Sequence, residues 1–259
     1  MVSPRFIRPF AFLAAALLFS GIVACDSSED PVSAASDLNP YEYVGLEHNE
    51  GLDHALESIR QNGGIEVSEI GSFSEGVTMD YISQREKSGL LSQSVMYEIV
   101  RDEIARSSVQ SNARTFSGGS GLNEAQQPFV DRLYAGLDDM ADAEDYRAIV
   151  DQIVRDAGAT LTEEDEAVVL AAAAVAANSV EYWEDNFEEW ADALQAESAP
   201  AQARQVPDWL MRIGANDLGG AIGGAIAGAI GGPKGAGLGA LGGGVGASVA
   251  TGVCEAINC

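Results

Sequence analysis

Apolar residues recur three and four positions apart through most of this chain, a spacing that predicts helices. Leu52, Leu56 and Ile59 form one stripe, closed by the stop signal Asn62-Gly63-Gly64. Met96, Ile99, Val100 and Ile104 form another, which dissolves into the Ser/Gly-rich stretch 107–121. Phe129, Leu133, Leu137 and Met140 make one amphipathic face; Tyr146, Ile149, Val150, Ile153 and Val154 make the next, ended at Gly158. Thr162 with Asp165 three positions on is a helix start of the capping-box kind, with Asp in place of Glu or Gln. The apolar run 168–180 that follows carries alanines at 171–174, 176 and 177, slim on every side, which places it at the centre of a bundle. Trp183, Phe187, Trp190 and Leu194 extend its stripe opposite an acidic face, a pattern that fits core packing better than a ligand platform. One short segment, 65–70, alternates apolar and polar residues and reads as extended.

Beyond Asp217 the chain changes material. Gly220, Gly224, Gly228 and Gly232 repeat every four residues beside Leu218, Ile222, Ile226 and Ile230, and Gly235, Gly239 and Gly243 continue the period after Pro233-Lys234. Glycine costs a helix about 1 kcal/mol relative to alanine in water, so such helices require close packing, which small residues four apart permit. The expected fold is all-α: a helical domain over 40–198, a linker over 199–213 and a glycine-zipper hairpin over 214–259. The hairpin resembles the glycine-zipper segments of bacterial envelope lipoproteins and, more loosely, bacteriocin-like peptides. That resemblance implies association with membrane or with other copies of the chain, or release as a membrane-active peptide by cleavage within 199–205. A soluble hairpin packed on the helical domain and a flexible Gly/Ala tail stay open beside it. The run 218–231 reaches only ~21 Å at ~1.5 Å per residue, short of a ~30 Å hydrocarbon core.

The N-terminus carries Arg5 and Arg8, an apolar run, and Ile22-Val23-Ala24-Cys25. Charge, apolar core and small residues make an export signal over 1–24. The aliphatic-x-small-Cys ending resembles the lipobox of bacterial lipoproteins, which implies that Cys25 is acylated and becomes the first mature residue, lipid-anchored in the bacterial cell envelope. Residues 9–24 fall short of the ~20 needed to span a bilayer. Residues 25–39, rich in Ser, Asp, Glu and Ala, read as an acidic flexible tether. Asp26 resembles an inner-membrane retention signal in some bacteria.

Charge changes the picture by exclusion. Removing residues 1–24 takes two of the 14 bases and none of the 40 acids, leaving a net charge of −28. With only Lys87 and Lys234 as lysines and no basic cluster, nucleic acid is excluded as a partner. The acidity fits adaptation to high salt and fits a well-solvated surface equally. Apart from Cys25, the cysteines are Cys254 and Cys259, which outside the cytoplasm form either a small disulfide loop or two free thiols.

Candidate chemistry is sparse. His48 and His54 are weak metal candidates, because six residues place them on different helix faces whereas paired ligands need four. Asn49 reads as a helix cap, with His48 before it in a loop. Asn39-Pro40-Tyr41-Glu42-Tyr43-Val44-Gly45, followed by His48-Asn49 and Leu52, resembles a motif of uncharacterised bacterial secreted and lipid-anchored proteins. It implies a shared helical fold and no reaction. No hydrolase elbow, zincin or phosphate-loop motif occurs, and the pairs Glu163-Glu164 and Glu188-Glu189 lie on solvated faces. The expectation is a non-enzymatic protein without cofactor.

Overall fold

The computed structural model describes residues 38–85, 98–102, 121–194, 207–257 and 259. Among these are seven long helices and no strand: α1 (Glu42–Asn62), α2 (Ile70–Arg85), α3 (Gln127–Asp139), α4 (Ala143–Thr160), α5 (Glu163–Ala193), α6 (Asp208–Gly228) and α7 (Gly232–Ile257). The fold is all-α. Residues 98–102 add a short helical piece that buries Ile99 and Val100. The signal, Cys25, and the tether up to residue 37 lie outside the described residues, as do Met96, Ile104, 107–120 and 195–206.

Local chemistry sets the helix ends. Gly63 closes α1 in the left-handed region (φ 75°), which costs glycine nothing. The Asp142 carboxylate accepts the Asp145 N–H at 2.8 Å to cap α4, and Thr162 Oγ1 accepts the Asp165 N–H at 3.3 Å to cap α5. From there α5 runs unbroken for 31 residues.

Helix α5 is the hub, touched by α1, α3, α4, α6 and α7, while α7 is enclosed by α1, α2, α5 and α6. The alanines at 171–174, 176 and 177 of α5 are buried, and they let α1 come so close that a Cβ on Gly45 would collide with the Ala174 carbonyl. Contacts advance together along α1 and α5, from Asn39 at Leu170 through Asn49 at Asn178 to Arg60 at Glu189. They also advance together along α1 and α7, from Gly237 beside Tyr43 to Gly244 beside His48. These three helices are therefore parallel, and α6 is antiparallel to them.

The glycine repeat is the α6–α7 seam. A Cβ on Gly220, Gly224 or Gly228 would collide with the carbonyl of Gly243, Gly239 or Gly235 respectively. Gly232 does not share this packing; at φ 72° with open space beside it, it is the turn. Three further expectations change. Residues 208–213 are the first turns of α6 rather than linker, because Leu210 and Ile213 fill the core. Segment 65–70 holds a 3-10 turn (Val67–Glu69) and the start of α2, a helix that buries Val77, Tyr81 and Ile82. Gly158 does not end α4, which continues to Thr160. The hairpin and the preceding helices share one hydrophobic core. The segment Asp208–Ile257 is long and apolar enough to cross a membrane, yet most of it is buried inside the bundle.

The seam makes opposite predictions for two glycine-to-alanine changes. Gly224→Ala should lower unfolding free energy by about 3 kcal/mol, because the new methyl meets backbone that cannot yield. Gly76→Ala, in α2 with open space around it, should raise it by about 1 kcal/mol. Urea unfolding followed by circular dichroism would measure both.

Candidate functional site

Of the two histidines, His54 sits on the rim of α1, a third exposed, with Nε2 3.0 Å from Asp80 Oδ2 on α2. His48 points the other way and is wholly buried. The expected loop before Asn49 is instead helix, because α1 already begins at Glu42. There Asn39 Oδ1 accepts the Tyr41 N–H at 2.9 Å. Asn49 caps nothing; its Nδ2 donates to the Asn178 carbonyl at 3.1 Å, and its Oδ1 faces His48 Nδ1 at 3.1 Å. Among the described residues no three His, Cys, Asp or Glu side chains gather as a metal site.

What His48 faces is a buried polar cluster that the sequence pattern did not single out. Asp217 on α6 is fully buried, and its Oδ2 accepts hydrogen bonds from Ser179 Oγ on α5 and Ser248 Oγ on α7, the latter at 2.8 Å. Ser248 in turn accepts Trp183 Nε1–H at 2.9 Å. His48 Nε2 lies 4.0 Å from Asp217 Oδ2 and beside the Gly244 backbone. One group from each of α1, α6 and α7, and two from α5, meet at this point. The detectable signal was a lone acid between Ile213 and Leu218, on a helix otherwise apolar at that face.

Burial governs both titrations. It pushes the Asp217 carboxyl up to about 7, against the pull of the Ser179, Ser248 and Trp183 hydrogen bonds. It pulls His48 down to about 4, although Asn49 and the Gly244 backbone favour its proton. Around pH 5 the proton therefore resides on the carboxyl and the imidazole is neutral. Both serine hydroxyls donate to the Asp217 carboxyl, which ties α5 and α7 to α6.

The motif around His48 is likewise explained by packing. Asn39 Nδ2 donates to the Leu170 carbonyl at 3.0 Å. The nearly buried Glu42 accepts from Asn178 Nδ2 and Arg147 Nη1, both at 2.8 Å, and Arg147 also forks onto Glu181. Leu52 is fully buried. At the chain end, Cys254 and Cys259 are joined in a disulfide. The stripe of Trp183, Phe187, Trp190 and Leu194 is buried, with Trp209 of α6 stacked on Phe187 at 3.8 Å. No family model matches the chain, and no curated protein or solved structure matches it.

The two buried groups give opposed pH slopes. Asp217 binds its proton more tightly folded than unfolded, so its stabilisation is full below pH ~4 and is lost as pH rises through about 7. His48 resists its proton in the fold, so its contribution is full above pH ~6.5 and is lost as pH falls through about 4. Relative to wild type, Asp217→Asn should gain stability with rising pH between 4 and 7. His48→Gln should lose it between 4 and 6.5. Each slope approaches about 1.4 kcal/mol per pH unit. Urea midpoints measured across that range would read both.

Proposed function

We propose that this chain is a lipid-anchored, non-enzymatic protein of the bacterial cell envelope, with Cys25 acylated and an acidic helical bundle carried outside the bilayer. The supporting observation is the enclosure of the glycine-rich hairpin. Its three glycine pairs close within one chain, and its outer faces are covered by α1, α2 and α5. Self-association through the zipper is thus satisfied internally, and membrane attachment falls to the N-terminal lipid. The sealed His48–Asp217 cluster supports a role without catalysis, since no substrate reaches side chains that are wholly buried. Palmitate should label wild type and not Cys25→Ala, and most of the variant should leave the membrane fraction. Equal labelling of the two would refute the anchor.

A second reading, a membrane-active hairpin freed by cleavage, is favoured by how much of the hairpin's bonding is internal. Arg212 forks onto Glu255 at 2.6 Å, Asp217 keeps Ser248, and the glycine seam joins only α6 and α7. Protein nicked within 199–205 would then empty dye-loaded vesicles while intact protein would not. Retention of dye by both excludes this reading.

A further inference from the structure

Helices α1, α5 and α7 all begin at the same end of the bundle, and so does the α6–α7 turn. That end presents Ile230, 77% exposed, together with Tyr43 and Leu46 on one face of α1, at 47% and 45%. Tyr43 and Tyr41 stack on each other, and Gly237, one turn beyond the hairpin tip, lies against both. Lys234 is the charged residue of the turn. An exposed isoleucine and a lysine at the hairpin tip, with partly exposed tyrosines at the same end of the bundle, have the make-up of an interfacial anchor.

We propose that this end of the bundle is a membrane-docking face, seated on the bilayer that holds the Cys25 lipid. The inference rests on the lipid-anchor reading given above. Twelve residues lie between Cys25 and Leu38, where the described chain begins, just before α1. The opposite end, where Val67 is exposed, lies on the order of 30 Å farther along α1. The lipid would thus join the chain ahead of the α1 start, at the end of the bundle that carries Ile230 and Tyr43.

Charge narrows the partner. The first turn of α5 carries Glu163, Glu164, Asp165 and Glu166, and Glu163 and Glu166 act on Tyr41 at this same end. Such a rim disfavours anionic headgroups, so the face suits a zwitterionic surface, with Lys234 meeting the phosphates.

The test uses the acylated full-length chain with one added cysteine, Ile230→Cys or Val67→Cys, carrying an environment-sensitive fluorophore. Cys25 is occupied by lipid and Cys254–Cys259 by their disulfide, so the label has one thiol to find. In phosphatidylcholine vesicles containing brominated acyl chains, the 230 probe should lose about half its emission while the 67 probe stays unquenched. Phosphatidylglycerol should reduce the quenching at 230. Equal quenching at both positions, or none at 230 in vesicle-bound, palmitate-labelled protein, overturns the docking face alone. Absence of palmitate label overturns the anchor reading, and the docking face with it. As a second measure, Ile230→Asp with Tyr43→Asp should weaken the residual vesicle binding of Cys25→Ala protein about tenfold while its helical circular dichroism is retained.

Discussion

The approach of α6 to α7 at backbone distance is the contact on which the rest of the bundle depends. Fifteen glycines fall within these two helices. At about 1 kcal/mol each relative to alanine, they set on the order of 10 kcal/mol of helix propensity against the hairpin. Pairing Gly220, Gly224 and Gly228 with Gly243, Gly239 and Gly235 offsets part of this through dense backbone contact, but only along one face. The remaining faces of α7 need partners too, and its other glycines show who supplies them: Gly237 receives Tyr43 and Val44, Gly244 receives His48 and Val175, and Gly252 receives the Trp183 ring. The alanine-rich middle of α5 and the close approach of α1 at Gly45 are consequences of the same demand, since slim helices must crowd together to leave no void.

A zipper that repeats every four residues has a weakness. Sliding α6 past α7 by one repeat would again set glycine against glycine, so the seam alone does not define its register. The polar cluster supplies what the repeat lacks. Asp217 occurs once on that face of α6, Ser248 is the only serine of α7, and Ser179 with Trp183 fixes the position of both against α5. A slip would strand a buried carboxyl without donors, a cost of several kcal/mol. Keeping that carboxyl protonated up to about pH 7 limits the penalty of burying it, and the neutral His48 beside it avoids adding an unpaired charge.

Most of the helical framework was legible because α-helical periodicity survives wherever one face is buried and the other wet. The caps at Thr162 and Gly63 were readable for the same local reasons that make them work. The four-residue glycine period announced close packing, yet it does not distinguish a partner helix in lipid from one in the same chain, so the enclosure of the hairpin had to come from the structure. Helix α2 was hidden because its buried residues Val77, Tyr81 and Ile82 come only after Gly71 and Gly76 and a short alternating run. Asp217 escaped because a lone acid at the border of an apolar run looks like the border itself. His48 was judged on spacing to His54, whereas Asp217 and Gly244, which its Nε2 side faces, are more than a hundred residues away.

The parallel arrangement of α1, α5 and α7 also bears on the acidity of the chain. Three helix N-termini side by side place roughly half a positive charge each at one end of the bundle. Glu42 and the acids at 163–166 occupy the first turns of two of these helices, where the macrodipole favours them. The local field at that end is therefore weaker than a count of carboxylates implies. At the opposite end the C-terminal dipole of α5 adds to Glu188, Glu189 and Asp192 near its last turns, while the N-terminus of the antiparallel α6 and the pairing of Arg60 with Glu189 offset only part of it. In the lipid-anchored arrangement proposed above, this asymmetry would set the end with its charge partly balanced against headgroups and the more strongly acidic end toward water.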